Sequence, residues 1–122
     1  MWLYIRPNPA GRHFSPAHQP KYGTLARMGF VNRKRICVLY SGRVQGVGFR
    51  YTVRSVASGF DVTGAVRNLT DGRVELVAEG TGDELQEFVK AIRESGMDHF
   101  IQNEDVSWGE AKNEFRGFEI VR

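Results

Sequence analysis

Cysteine is nearly missing from this chain of 122 residues: Cys37 stands alone. No internal disulfide can form, and there is neither a CxxC pair nor a Cys/His cluster of the kind a structural zinc site needs. A reducing, cytoplasmic setting is therefore expected. Cys37 lies among Ile36, Val38 and Leu39, which reads as a buried small apolar side chain rather than a nucleophile. Long apolar runs are absent too. None approaches the roughly 20 residues that a membrane-spanning helix requires, so no membrane partner is expected. Proline is confined to Pro7, Pro9, Pro16 and Pro20, and residues 1–35 contain no carboxylate.

These gaps divide the chain. Residues 1–35 hold seven basic side chains (Arg6, Arg12, Lys21, Arg27, Arg33, Lys34 and Arg35), whereas residues 36–122 hold ten basic and fourteen acidic, a net of −4. The formal net charge of +3 thus belongs to the first segment. Its prolines and glycines break any period of two or 3.6, so residues 1–32 are expected to be a flexible, disordered leader preceding a single domain at 33–122. The leader lacks the apolar run of a secretory signal. A mitochondrial presequence fits less well, because serine is sparse and no amphipathic helix is evident. Translation from Met28 would remove residues 1–27 altogether.

From residue 36 the pattern changes. Ile36–Ser41 reads as a strand, and the glycines of residues 42–48 end it in a loop. Phe49, Val53, Val56 and Ala57 follow at i, i+4, i+7 and i+8, the apolar stripe of a helix over about 49–58, with Gly59 expected to close it in the left-handed conformation. Val62–Leu69 and Arg73–Glu79 read as antiparallel strands joined at Asp71-Gly72. Thr81 and Glu84 form a capping box before a second helix at about 82–94, with stripe Leu85, Phe88, Val89 and Ile92, closed near Gly96. Val106 with Trp108, and Phe118 with Ile120, alternate as strands do. The order is βαββαβ plus a short terminal strand. It predicts an α+β fold, a ferredoxin-like split βαβ sandwich: an antiparallel sheet with two helices on one face and solvent on the other.

The loop at 43–50 lies between a strand end and a helix start. Helix N-termini carry unpaired N–H groups and partial positive charge, and glycine-rich approaches to them suit anions. Gly46 and Gly48 permit a concave turn of inward-pointing amides, and Arg50 falls in the first helical turn, where a guanidinium can grip the same anion in two places. The spacing is neither a Walker loop nor GxGxxG. From the residues alone two readings stand: an anion-binding loop, or a tight turn whose Arg50 pairs with a surface carboxylate.

The run Ser41-Gly-Arg-Val-Gln-Gly-Val-Gly-Phe-Arg50 resembles the acylphosphatase signature G-x-V-Q-G-V-x-F-R. The family's second signature, Gly-aromatic-Val-x-Asn, three residues and Gly-x-Val, is matched by Gly64-Ala-Val-Arg-Asn68, Leu69-Thr-Asp71 and Gly72-Arg-Val74, and its closing Gly-Phe-x-Ile by residues 117–120. The resemblance covers about residues 33–122. It implies hydrolysis of the carboxyl-phosphate bond of acyl phosphates without metal or other cofactor. Arg50 would bind the phosphate, Asn68 would orient the attacking water, and the amides of Gln45, Gly46, Val47, Gly48, Phe49 and Arg50 would form the cradle. The chain departs from the family at Ala65, where an aromatic is usual; packing, stability and substrate affinity are what this touches.

Other side chains have plainer readings. His13, His18 and His99 have no partner at metal or triad spacing and are expected to be solvated. Trp108 and the phenylalanines are expected in the core or at the sheet edge. The fold also serves non-catalytic ligand- or anion-binding modules. Against RNA binding by the sheet, the third strand (residues 73–80) has no aromatic to stack on a base. A basic leader could hold nucleic acid only weakly. The expected partner is a small acyl phosphate, with no nucleic acid, and the expected state is a monomer.

Overall fold

The computed structural model describes residues 32–122. Seven main elements follow one another: β1 (Arg33–Gly42), α1 (Phe49–Ala57), β2 (Thr63–Asn68), β3 (Val74–Thr81), α2 (Gly82–Ile92), β4 (Ile101–Glu110) and β5 (Phe118–Val121). The strands form one sheet in the order β4-β1-β3-β2-β5. Pairings β1–β3, β1–β4 and β2–β3 are antiparallel, as the ferredoxin-like order predicts. The terminal strand adds a parallel pairing to β2, from Gly64↔Phe118 to Arg67↔Val121, so the complete sheet is mixed. The expectations for the leader, with those for His13 and His18, lie outside the described residues. Among the described residues no helix is long and apolar enough to cross a membrane.

The core follows from the two periodicities. Alternate residues of the central strands are buried (Ile36, Val38 and Tyr40 on β1; Val74, Leu76 and Ala78 on β3), and they meet the stripes Phe49, Val53, Val56, Ala57 of α1 and Leu85, Phe88, Val89, Ile92 of α2. Each Val, Leu, Ile or Phe among them contributes on the order of 1.5–3 kcal/mol by leaving water. Phe49, the first residue of α1, packs edge-on against Tyr40 with ring centroids 4.9 Å apart, which pins the start of the helix to the end of β1.

Local signals held with some exceptions. The Thr81 hydroxyl caps α2, accepting from the Glu84 amide at 3.2 Å, while the Glu84 carboxylate reaches across to accept from the Asp61 amide at 3.0 Å. At the β2–β3 turn, Gly72 takes φ 97°, Leu69 N–H donates to the Arg73 carbonyl at 2.8 Å, and Gly72 N–H donates to that of Leu69 at 3.2 Å. Gly96, with φ 96°, closes the turn that follows α2. Gly59 does not adopt positive φ; α1 ends by tightening, with Gly59 N–H bonding Val56 and Phe60 N–H bonding Ala57, both at 3.0 Å. Cys37 is half-buried on the sheet face away from the helices, between Val77 and Ser107, rather than in the core. Partial burial, and then the Glu75 carboxylate, push its thiol up, away from the nucleophilic thiolate. Trp108 is a sheet-edge residue, 46 % exposed on β4. His99 is exposed, as expected.

The face expected to meet solvent is partly roofed. Because β4 and β5 are the two sheet edges, the connection 111–117 must pass the strands between them, and Glu79 of β3 fastens it. This carboxylate is fully buried; it accepts from the Lys112 and Asn113 amides and from the Arg35 guanidinium, all at 2.8 Å. Arg35 also lies over the Phe115 ring at 5.4 Å. Burial alone would raise the Glu79 pKa, but the bonds from Lys112, Arg35 and Asn113 outweigh it and hold the carboxyl below its ordinary 4.5. A lowered folded-state pKa stabilises above the unfolded value, and that stabilisation disappears as pH falls through the folded value. Glu79→Gln is accordingly expected to lower stability at pH 7 by about 2 kcal/mol, with the gap to wild type closing as pH falls well below 4.5. Urea unfolding at several pH values checks this; a gap independent of pH would refute it.

Candidate active site

Strand register brings three chain ends to one border of the sheet. Tyr40, near the end of β1, pairs with Val74 at the start of β3, and Val74 pairs with Asn68 at the end of β2. The loop 43–48 leaves β1 at this border and enters α1. The two sequence motifs, about twenty residues apart in the chain, therefore meet at the same end of the fold.

Within the loop, Gly46 and Gly48 take φ 79° and 83°. A Cβ at either would meet nothing within 4 Å, so backbone conformation and not crowding calls for glycine. Left-handed residues in a loop of this kind can turn neighbouring amides toward one side. Among the described residues, the amides from Gln45 to Arg50 donate to no backbone or side-chain acceptor; the first helical bond runs from Thr52 N–H to the Gly48 carbonyl at 3.0 Å. Val44 and Phe49 are buried and anchor the loop at both ends, whereas Gly46 and Gly48 are exposed between them. The side chain of Phe49 belongs to the core, so only its amide is left for the anion-binding role expected of this loop.

The two helix starts contrast. The N-terminus of α2 is neutralised by the Thr81 cap and by Asp83 and Glu84 in its first turn. That of α1 has Gly48 at the cap, no side-chain cap bond, no acidic residue in its first turn, and Arg50 instead. A cation there opposes the helix dipole by about 0.3–1 kcal/mol, a cost that only a bound anion would reverse. Arg50 is half-buried and makes no hydrogen bond or ion pair with a described residue, while Arg35, Arg67, Arg73 and Arg93 each have a carboxylate partner. The alternative reading of Arg50 as half of a surface salt bridge thus has no carboxylate to support it among the described residues.

Asn68 ends β2 half-buried, and its Oδ1 is a buried acceptor with no hydrogen-bond partner. Nearby Asp71 would repel an anion, but it is tied to Arg73, receiving its Nε at 2.9 Å and its backbone N–H at 3.1 Å. The Arg73 side-chain bond, then its backbone bond, hold the Asp71 carboxyl below its ordinary value. Gln45 contributes more than an amide: its Nε2 donates to the carbonyls of Leu69 at 2.8 Å and Arg73 at 2.9 Å. Sequence spacing could not reveal that bond, since both acceptors are backbone groups. Ala65 lies away from the site on the partly roofed face, between Val77 and Glu119, so the missing aromatic alters the cover of that face. A shallow hollow at the start of β4, lined by Arg93, Asp98, Ile101, Gln102, Asn103 and Glu104, contains none of these residues. Among the described residues no cluster of three His, Cys, Asp or Glu side chains could hold a metal ion.

Known proteins resemble this chain in sequence and in fold. The sequence model of the acylphosphatase family matches residues 36–120. The acylphosphatase of Salinibacter ruber is 44 % identical over 89 residues, 73 % of this chain and 94 % of that one. That of Trichormus variabilis is 44 % identical over 88 residues, 72 % of this chain and 86 % of the other. In three dimensions the chain resembles the crystal structure of acylphosphatase from Bacillus subtilis, with TM-score 0.67 and 37 % identity, over 73 % of this chain and 99 % of that one. These matches mark a hydrolase built on a ferredoxin-like sheet. The chain belongs to the acylphosphatase family.

Proposed function

We propose that this enzyme hydrolyses acyl phosphates to carboxylate and inorganic phosphate by in-line attack of water on phosphorus, with Arg50 and the loop amides holding the phosphoryl group and Asn68 aiming the water. The buried, unpartnered Oδ1 of Asn68 beside an uncapped, acid-free helix start carries this reading. A buried acceptor without an internal partner is costly, and turning the Asn68 side chain toward a water at the cradle would relieve that cost while the bond so formed directs the water's lone pair. The transition state spreads negative charge over the equatorial phosphoryl oxygens, and fixed amides with one guanidinium stabilise it without reorganising. The bond from phosphorus to the acyl oxygen breaks and leaves a carboxylate, a weak base that needs little protonation. The loop 43–50 contains no carboxylate or histidine and Asp71 of the hairpin is tied to Arg73, so the proposal gives the water proton to a phosphoryl oxygen of the substrate itself.

The reading includes a monomer, which sedimentation at 13.8 kDa checks, in a reducing, cytoplasmic setting, which the lone Cys37 supports. The open surface beyond the cradle leaves the acyl side little constrained. Benzoyl phosphate should be hydrolysed to benzoate and phosphate at the same rate with and without EDTA. Turnover at the uncatalysed rate, or its loss on chelation, would count against the proposal.

A further inference from the structure

We infer that the Gln45 side chain is a positioning residue: its carboxamide braces the phosphate loop against the β2–β3 hairpin and thereby sets where Asn68 stands relative to the cradle. This rests on the assignment of water aiming to Asn68. Both acceptors are main-chain carbonyls, so the group facing them must be the NH2, which has two N–H bonds to give and here gives one to each. The two carbonyls form the neck of the hairpin. The Leu69 oxygen also accepts from Gly72 N–H and the Arg73 oxygen from Leu69 N–H. Gln45 thus fastens on the residue next to Asn68 and on the residue that closes the turn behind it.

The brace is placed where little else would fix this distance. Loop and hairpin lie on non-adjacent strands, β1 and β2, with β3 between them. Gly46 and Gly48 are exposed and bring no side chains, and Val47 between them is held by apolar packing on the core, which is non-directional and leaves the register with the hairpin to the two Gln45 bonds. The loop amides and Arg50 belong to one side of the junction and Asn68 to the other. Phosphate binding needs only the first side; in-line attack needs both in register. Loosening the brace should therefore lower kcat and leave phosphate affinity nearly intact. Asparagine at 45 falls one methylene short of the two carbonyls, and glutamate would face them with a second set of acceptors.

The test uses Gln45→Met, which keeps length and removes both donors, measured with benzoyl phosphate, with inorganic phosphate as competitive inhibitor, and with thermal unfolding. Misplacement of water of about 1 Å predicts a fall in kcat of roughly ten- to a hundredfold, with the phosphate inhibition constant changing less than about threefold. A merely structural role would lower the unfolding midpoint and leave kcat of the folded enzyme unchanged, which overturns the inference. The double variant with Asn68→Ala separates the two claims. If Gln45 acts through Asn68, Gln45→Met costs little further rate in the Asn68→Ala background. Full multiplicative losses, with Asn68→Ala itself slow, would remove the brace and leave the mechanism standing. A wild-type rate in Asn68→Ala alone would remove the water-aiming role and the brace with it.

Discussion

Replacing Arg50 by lysine is expected to reduce kcat/KM by roughly a hundred- to a thousandfold, the usual result of removing one donor from a preorganised anion hole. Lysine keeps the charge but is a point cation on a flexible stem, whereas guanidinium is a planar fork that can bind two phosphoryl oxygens at once. If charge alone mattered, the loss would be small, and a rate within a few-fold of wild type would contradict the proposed grip. The fold should be indifferent to the change, since Arg50 makes no hydrogen bond or ion pair with a described residue. Arg50→Ala extends the argument: it removes a cation from the positive end of α1, so it should abolish turnover while leaving the thermal midpoint equal to or slightly above wild type. A large loss of stability instead would mean that Arg50 is a structural residue.

For Asn68→Ala, kcat should fall by about a hundredfold with KM little altered, because the lost contact aims the nucleophile rather than holding the phosphate. Stability should be nearly unchanged. The Oδ1 that disappears is a buried acceptor without a partner, so its removal breaks no internal bond. Asn68→Asp asks a sharper question. A carboxylate keeps an acceptor but brings a negative charge to a site meant for a phosphate, so KM should rise as kcat falls. Were that variant to turn over at the wild-type rate, a protein base would be serving as well as the substrate's own oxygen, and proton transfer to phosphate would lose its support.

Much of this architecture was readable from periodicity and turn chemistry. The stripes Phe49, Val53, Val56, Ala57 and Leu85, Phe88, Val89, Ile92 are the buried faces of the two helices. Asp71-Gly72 turns the hairpin. The misses share a cause, in that each depends on what another segment supplies. β1 starts at Arg33 rather than Ile36 because Lys34 and Arg35 find ladder partners on β3 and β4, which overrides the weak strand preference of charged residues. Gly59 is free to take positive φ but the chain closes α1 with short-range bonds instead. Glu79 looks solvent-facing in Val-Glu-Leu-Val-Ala-Glu-Gly, and becomes buried only because Arg35 and the amides of Lys112 and Asn113 converge on it. At the site, the glycines and Arg50 were legible as an anion-binding possibility, and Asn68 only through its family pattern. The bonds from Gln45 depend on the spatial closeness of Leu69 and Arg73, which no local pattern encodes.

The central place of β1 bears on how the molecule is made. It is the first described strand in the chain, yet both its neighbours come later, and Lys34 does not meet Glu110 until almost the whole domain has been synthesised. Among the described strands, only β2 and β3 are both successive in the chain and adjacent in the sheet. Early in translation, then, β1 has two bare edges and no complement, and the glycine loop at its end has no support. Such topology, rich in closures between distant segments, belongs to the slower range of folding, on the order of milliseconds to seconds, and ties the assembly of the enzyme to completion of its chain.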